Sequence, residues 1–119
     1  MSYVDGFVLP VPKKNIAAYR RMAKRAGVIW KEYGALQYME CVGDDLNPGM
    51  ATTFPKVLKT KTGETVFFSW VLYKSKAHRD SVNKRLMKDP RIAKMMAGKK
   101  PPFDVKKMLY GGFKPVVEM

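Results

Sequence analysis

The sequence has few of the features that identify a function directly. It contains one cysteine, Cys41, and one histidine, His78. A single cysteine excludes an internal disulfide, and we therefore expect a reducing compartment, the cytoplasm. No apolar run approaches the ~18 residues that a membrane-spanning helix needs, so we expect no membrane partner. Residues 1–14 place their cations after the apolar stretch, which is the wrong order for a secretory signal.

The chain also lacks the residue spacings that hold metals. One histidine and one cysteine do not supply the repeated ligands of a zinc site, and no set of nucleophile, histidine and acid is visible in the sequence. We therefore expect no metal and no cofactor. Any catalysis would then have to use ordinary side chains.

What the sequence does have is apolar residues and positive charge. Apolar residues make up 46% of the 119 residues, too many for a disordered chain, and the length suits one domain covering residues 1–119. Lys and Arg number 23 against 10 Asp and Glu, which gives a net charge of +13. Such an excess attracts polyanions at long range, although a cationic surface that only aids solubility explains the same composition.

The apolar pattern and the turn residues predict an α+β fold. We predict strands at residues 3–9, 35–42, 53–60, 64–73 and 107–117, and helices from Pro12 to about Tyr33, from Ser75 to Lys88 and from Asp89 to Gly98. Pro10 and Pro12 are expected to end the first strand. Pro55 limits residues 53–60 to an edge position. The order is β-α-β-β-α-β with an extra strand in the middle, which is typical of a ferredoxin-like sheet.

The first helix has two faces of different chemistry. Its apolar residues share an arc of about 140° and are Ile16, Tyr19, Met22, Ala23, Ala26, Ile29, Trp30 and Tyr33. Its cations share another arc of about 140° and are Lys13, Lys14, Arg20, Arg21, Lys24, Arg25 and Lys31. The arcs do not overlap, so one face is expected in the core and the other in solvent.

The strand at residues 64–73 is apolar on both faces. Val66, Phe68, Trp70 and Leu72 point one way, and Phe67, Val71 and Tyr73 point the other. A strand of this kind is buried on both faces. Right-handed crossovers place both helices on one side of the sheet, so something else must cover the other side. The simplest cover is a second copy of the chain, and we expect a homodimer with its sheets packed face to face.

Three blocks of sequence carry a family resemblance: YVDGFVLPVP at residues 3–12, HRDSVNKRLMKDPR at 78–91 and FDVKKMLYGGF at 103–113. With these blocks the chain resembles the YbaA-like family of uncharacterised bacterial proteins, within the dimeric α/β-barrel superfamily. The resemblance implies a ferredoxin-like antiparallel sheet, two helices on one face and dimers built from facing sheets. It implies no established activity. The wider superfamily includes cofactor-independent monooxygenases, haem-degrading enzymes, small isomerases and regulatory ligand-binding domains.

Three polar residues are candidates for catalysis: Asp5, Glu40 and His78. Asp5 and Glu40 fall on otherwise apolar strand faces, where a carboxylate is either paired with a cation or functional. His78 is the one side chain that titrates near neutral pH without perturbation, which suits a general acid or base. The simpler interpretation makes it a packing residue near a helix start.

Four aromatic residues are candidates for ligand binding: Tyr38, Phe68, Trp70 and Tyr110. Placed on strands, they would line a cavity or form part of the core. Cys41 is expected to be buried and inert.

Two hypotheses of different classes follow. The first is a small-molecule site between sheet and helices of each subunit, which binds or transforms its ligand without a metal. The alternative is a non-catalytic scaffold, or a dimer that binds polyanions through its basic helical faces. RNA-recognition domains share the element order, but residues 64–74 lack their signature of glycine and spaced aromatics, and the cations cluster on the helices. Whether the protein is an enzyme stays open.

Overall fold

A four-stranded antiparallel sheet organises the part of the chain that this computed structural model describes, residues 1–97 and 100–119. The strands are β1 (Tyr3–Pro12), β2 (Gln37–Val42), β3 (Glu64–Tyr73) and β4 (Leu109–Phe113). The helices are α1 (Ile16–Glu32), α2 (Phe54–Leu58), α3 (Lys76–Lys88) and α4 (Pro90–Met96), with short 3₁₀ turns at Lys13–Asn15 and Val105–Lys107.

The order of strands across the sheet is β2-β3-β1-β4. β1 and β3 form the central pair and are in register over ten residues, from Tyr3 opposite Tyr73 to Pro12 opposite Glu64. β2 pairs with β3 on one side, and β4 pairs with β1 on the other. This arrangement confirms the predicted α+β, ferredoxin-like fold.

The predicted extra strand at residues 53–60 is wrong, because residues 54–58 form α2. Thr53 caps this helix by accepting a hydrogen bond from the backbone N–H of Lys56 at 3.3 Å. Pro55 then lies in the first turn, where its missing N–H leaves no hydrogen bond unmade. A helical cap followed by proline therefore outweighs the extended preference of the neighbouring residues.

β1 does not end at Pro10 but continues through Pro12. The Lys13 N–H donates to the Gly63 carbonyl at 2.7 Å, across the junction with β3. Backbone nitrogens alternate in direction along a strand, so residues 10 and 12 turn theirs toward the opposite edge. Within the described residues, β4 pairs only with residues 4–8 of β1 on that edge. Proline is tolerated there because no ladder donor is needed.

The predicted start of the first helix at Pro12 is wrong, because Pro12 is the last residue of β1 and α1 begins at Ile16, after the 3₁₀ turn. The other predicted helix boundaries are confirmed where the structure describes them. Gly34 follows α1 with φ +108°, a left-handed conformation that favours glycine. Ser75 and Asp89 each cap a helix through a side-chain oxygen that accepts a first-turn N–H, at 3.0 and 2.7 Å. Pro90 is the first residue of α4. The expected end at Gly98 lies outside the described residues.

The core lies between the sheet and the helices. Odd-numbered residues of β1 and β3 face the helices and form two adjoining clusters with them. One contains Leu9, Val11, Tyr19, Ala23 and Phe67, and the other contains Ile29, Ala35, Val71, Tyr73, Val82 and Leu86. The predicted apolar arc of α1 supplies members to both clusters.

The other face of the sheet is apolar but largely uncovered in a single chain. Phe68 is 46% exposed and Phe113 is 62% exposed, and Met39 and Leu109 on the same face are also exposed. α2 reaches only one end of this face, where the Phe54 ring meets the Phe68 ring edge-on at 6.5 Å between centroids. We call this surface the open sheet face.

A buried ion pair attaches α3 to the sheet. Arg79 Nη1 lies 2.6 Å from Asp5 Oδ1, and the two side chains are only 14% and 2% exposed. The same nitrogen is 3.2 Å from the Tyr110 hydroxyl on β4, and the guanidinium lies 4.9 Å from the centre of the Tyr3 ring. At Gly112 a Cβ atom would overlap both Tyr3 and Arg79. The glycine therefore makes room for the pair.

A glycine within α1 allows the helix to approach β2 closely. A Cβ atom on Gly27 would lie 2.7 Å from Cδ1 of Tyr38, too close for a carbon–carbon contact. The Tyr38 ring also packs against the Trp30 ring, with 5.5 Å between centroids. Gly27 and Trp30 together determine where the Tyr38 side chain lies.

Arg79→Met should lower the free energy of unfolding by about 3–5 kcal/mol, because it leaves the Asp5 carboxylate buried without its cation. Adding Asp5→Asn to that variant should recover part of the loss by removing the unpaired charge. Lys84→Met, at an exposed position of α3, is the control and should change stability by less than about 1 kcal/mol. Urea unfolding measures all of them, and an equal cost for the Arg79 and Lys84 variants would contradict the buried pair.

Gly27→Ala should lower the free energy of unfolding by about 1–3 kcal/mol, because the new methyl group overlaps the Tyr38 ring. Helix propensity alone predicts the opposite, a gain of about 1 kcal/mol. Ala17→Gly at an exposed position of the same helix measures that propensity effect separately. A more stable Gly27→Ala variant in urea unfolding would show that the close approach of α1 to β2 is incorrect.

Candidate functional site

A cavity of about 350 Å³ lies between α1 and the β2–β3 edge of the sheet. Its lining includes Tyr19, Arg20, Lys24, Tyr38, Glu40 and Phe67. We call it the Glu40 cavity, because Glu40 is the carboxylate among its lining residues. The volume is at the lower end of the range of about 300–1,000 Å³ that is usual for small-molecule pockets.

Glu40 receives hydrogen bonds from two tyrosines. It points from β2 toward the helices and lies opposite Ser69 of β3. Its Oε1 accepts from the Tyr19 hydroxyl and its Oε2 accepts from the Tyr38 hydroxyl, each at 2.9 Å. Among the described residues, Glu40 takes part in no ion pair. A carboxylate removed from bulk water is therefore held by neutral donors alone.

Burial raises the pKa of the Glu40 carboxyl above its ordinary value near 4.5, although the hydrogen bonds from Tyr19 and Tyr38, and the hydroxyl of Ser69 opposite, act against this shift. The same surroundings also shift the pKa values of the two tyrosines. Burial, and then the neighbouring Glu40 charge, raises the pKa of Tyr19 and of Tyr38 well above the usual value. Both hydroxyls stay protonated donors, so Glu40 is the group in this cluster that can gain or lose a proton most readily.

Both tyrosines are held in place by packing. Tyr19 lies against Phe67, with 4.5 Å between ring centroids, and meets the edge of Phe103 at 5.6 Å. Tyr38 is confined by Gly27, as described above. Helical periodicity places Tyr19 in the buried arc of α1 but indicates no functional role for it, and it gives no role to Gly27. A glycine inside the buried arc of a long helix was the available signal, because it marks a close approach of another group.

Asp5 occupies a different environment from Glu40. It lies on β1, two strands away from β2, and its partner is the Arg79 guanidinium. It is not among the residues that line the Glu40 cavity. Of the two roles predicted for Asp5, pairing with a cation is therefore the one that the structure shows. Its contacts do not join it to Glu40.

His78 makes contacts that belong to the start of α3. Its Nδ1 accepts a hydrogen bond from the Lys74 backbone N–H at 3.1 Å. Its ring meets Tyr73 edge-on, with 5.9 Å between centroids, and its Nε2 lies beside Gly34. These contacts are the ones expected of a residue that packs near a helix start. His78 does not line the Glu40 cavity.

The four aromatic candidates for ligand binding do not lie together in the structure. Tyr38 and Tyr110 face the helices but lie on β2 and β4, at opposite edges of the sheet. Phe68 and Trp70 project from the open sheet face, because even-numbered residues of β3 point away from the helices. Tyr38 alone among the four lines the Glu40 cavity.

Cys41 is exposed, contrary to the expectation that it is buried. It lies on edge strand β2 and faces away from the helices, opposite Phe68. Within residues 1–97 and 100–119, no group of three or more His, Cys, Asp and Glu side chains is placed to hold a metal ion. In the same residues, no helix has both the length and the apolar character needed to cross a membrane.

The cationic arc predicted for the first helix faces outward, and all seven of its residues are exposed, with Lys13 and Lys14 in the 3₁₀ turn before α1. Arg20 and Lys24 differ from the other five because they line the Glu40 cavity. They are one helical turn apart, so their side chains lie on the same side of α1. The cavity thus combines a carboxylate and apolar walls with two cations at its solvent side.

Two solved structures share this fold. Rv0793 from Mycobacterium tuberculosis superposes with a TM-score of 0.57 at 13% identity, covering 99% of this chain and 98% of that one. A dimeric ferredoxin-like protein from an uncultured marine organism gives a TM-score of 0.59 at 12% identity, with both chains fully covered. At these identities the similarity concerns the fold alone.

Sequence comparison is more specific. The chain is 44% identical over 118 residues to the uncharacterized protein YbaA of Escherichia coli strain K12, covering 99% of each chain. A relative from Shigella flexneri matches over the same length with the same identity. The family model described as "Protein of unknown function (DUF1428)" matches residues 2–105. These matches confirm the YbaA-like resemblance of the three sequence blocks, and the chain belongs to the DUF1428 family.

Proposed function

We propose that this protein binds a small molecule in the Glu40 cavity, with Glu40 as the group that accepts a hydrogen bond from it. The contrast between the two carboxylates on the helix-facing side of the sheet carries the proposal. Asp5 is neutralised by Arg79 at 2.6 Å, whereas Glu40 has only hydroxyl donors and borders a cavity. Burying a carboxylate without a cation is costly, and such groups occur preferentially at functional sites.

The geometry favours binding over a reaction that needs both an acid and a base. A raised pKa suits Glu40 to exchange a proton with a bound hydroxyl or amine. A second titrating group on the other side of the ligand would have to come from the cavity lining. Asp5 and His78, the other two catalytic candidates, are not part of that lining, and its remaining charged residues, Arg20 and Lys24, are exposed to solvent. Ligand binding, with reversible proton exchange at Glu40, is therefore the function we propose, and it uses no metal.

The proposed functional unit is a homodimer of single-domain chains in the cytoplasm. The open sheet face supports the dimer, because its apolar side chains would lose exposed area against a second copy. The structural neighbour from the marine organism is a dimeric ferredoxin-like protein, which adds support at the level of the fold. The exposed Cys41 thiol suits a reducing compartment. The scaffold or polyanion-binding alternative keeps one observation in its favour, the exposed cationic arc of α1.

Replacing Glu40 should change how stability depends on pH. Because its pKa is raised in the folded state, the stabilisation linked to its proton is complete below about pH 4 and is lost as the pH rises through the folded-state value. Gln does not titrate, so Glu40→Gln should gain stability relative to wild type as the pH rises above about 4. Urea unfolding at several pH values measures this trend.

Glu32→Gln provides a control of opposite sign. The Arg91 hydrogen bond lowers the pKa of Glu32, so wild type gains from ionised Glu32 as the pH rises, and the Gln variant should lose relative stability. A flat or falling difference for Glu40→Gln would mean that Glu40 is well solvated, and the main support for the proposed site would be lost.

The dimer can be tested by light scattering at micromolar concentration. The mass should be twice the 13.6 kDa of one chain. Phe113→Asp on the open sheet face should give monomers, because it would bury a charge between the sheets. Val28→Asp also replaces an exposed apolar residue by Asp, but on helix surface away from that face, and should leave the dimer intact. A monomeric wild-type protein would exclude the sheet-to-sheet dimer.

A further inference from the structure

The Glu40 cavity has two ends of opposite charge. At the inner end Glu40 accepts one hydrogen bond on each oxygen, from Tyr19 and from Tyr38. A carboxylate has about four acceptor positions, so it can still accept a donor from a ligand. At the solvent end lie Arg20 and Lys24, which take part in none of the ion pairs found among the described residues.

The walls between these ends are apolar. Ile16, Ala23, Val42 and Phe67 contribute them, from three different elements. A ligand that fills this space must present apolar surface to the walls, since an unpaired polar group would lose its hydration there. An inorganic anion such as phosphate satisfies the two cations but leaves the walls and the inner carboxylate without partners.

We infer that the Glu40 cavity takes a small organic anion with an apolar body, whose negative group faces Arg20 and Lys24 and whose hydroxyl or amine donor faces Glu40. This inference rests on the proposed function and specifies its ligand. Two cations against one carboxylate make the cavity electropositive, which disfavours a cationic ligand. Protonation of Glu40 would increase that bias.

Four small molecules of similar size test separately whether binding requires the negative charge and the hydroxyl group. 4-Hydroxyphenylacetate has the anion, the apolar ring and the hydroxyl. 4-Hydroxyphenylacetamide lacks the charge, phenylacetate lacks the hydroxyl, and tyramine replaces the anion with a cation. NMR titration of the full-length protein, followed at the methyl groups of Ala23 and Val42 in the cavity wall, reports both affinity and position. We expect 4-hydroxyphenylacetate to bind about tenfold more tightly than its amide, because a charge-assisted pair is lost in the amide.

Two double variants of equal charge test whether the cavity cations cause this preference. Arg20→Gln with Lys24→Gln removes the pair that lines the cavity, and we expect the preference for the anion to disappear. Arg21→Gln with Arg25→Gln removes two exposed cations of the same helix that are outside the lining, and we expect the preference to remain. Equal losses in both would mean that long-range charge attracts the anion, and the assignment of Arg20 and Lys24 would be overturned.

The titration also distinguishes failure of this inference from failure of the proposed function. If the amide or tyramine shifts the cavity methyl groups as strongly as the hydroxy acid, the ligand class is wrong and the cavity remains a binding site. If none of the four probes shifts those methyl groups at millimolar concentration, the proposed binding function fails and the ligand class fails with it.

Discussion

The pairing of β1 with β3 over ten residues is the constraint on which the rest of the structure depends. Side chains alternate along a strand, so this single register decides which residues meet the helices and which meet the open sheet face. A shift of one residue would turn Asp5 away from Arg79 and expose Leu9 and Val11. β2 takes its register from β3, and the position of Glu40 opposite Ser69 follows from it.

Asp5 and Glu40 lie on the same side of the sheet, and their carboxylates are stabilised away from water in two different ways. Asp5 pairs with the Arg79 guanidinium, which also contacts the Tyr110 hydroxyl and the Tyr3 ring, and the arrangement fastens β1, β4 and α3 together. Glu40 has two hydroxyls and a neighbouring cavity. The first arrangement is complete within the chain. The second leaves acceptor positions available, and this difference underlies the functional assignment.

Much of the fold could be predicted because it depends on local sequence. The caps at Ser75 and Asp89 and the glycine after α1 have their own side-chain or backbone chemistry, and the two arcs of α1 follow from helical periodicity. The errors arose where a proline has two interpretations. Pro55 indicates an edge strand or a helical first turn, and Pro10 ends a strand or continues along an unpaired edge. The Thr53 cap decides the first case locally, whereas the neighbouring strand β4 decides the second.

The candidate site was harder to predict, because its members meet only in three dimensions. Strand alternation placed Glu40 on an apolar face, but the residues that decide its state come from α1, β2 and β3. Arg20 and Lys24 were indistinguishable from the other cations of their arc until the cavity beside them was seen. Tyr38 and Phe68 were grouped as aromatic strand residues, although the parity of their pairing puts them on opposite faces.

The prolines at the end of β1 have a consequence for how copies of this chain can meet. Beyond residue 8 this edge has no strand beside it within the described residues, and an unpaired edge ordinarily invites another chain to extend the sheet. Pro10 and Pro12 remove the two outward N–H groups that such an intruding strand would need. Growth of the sheet into a continuous multi-chain ribbon is therefore blocked at this edge, and contact between copies is directed toward side chains and away from backbone.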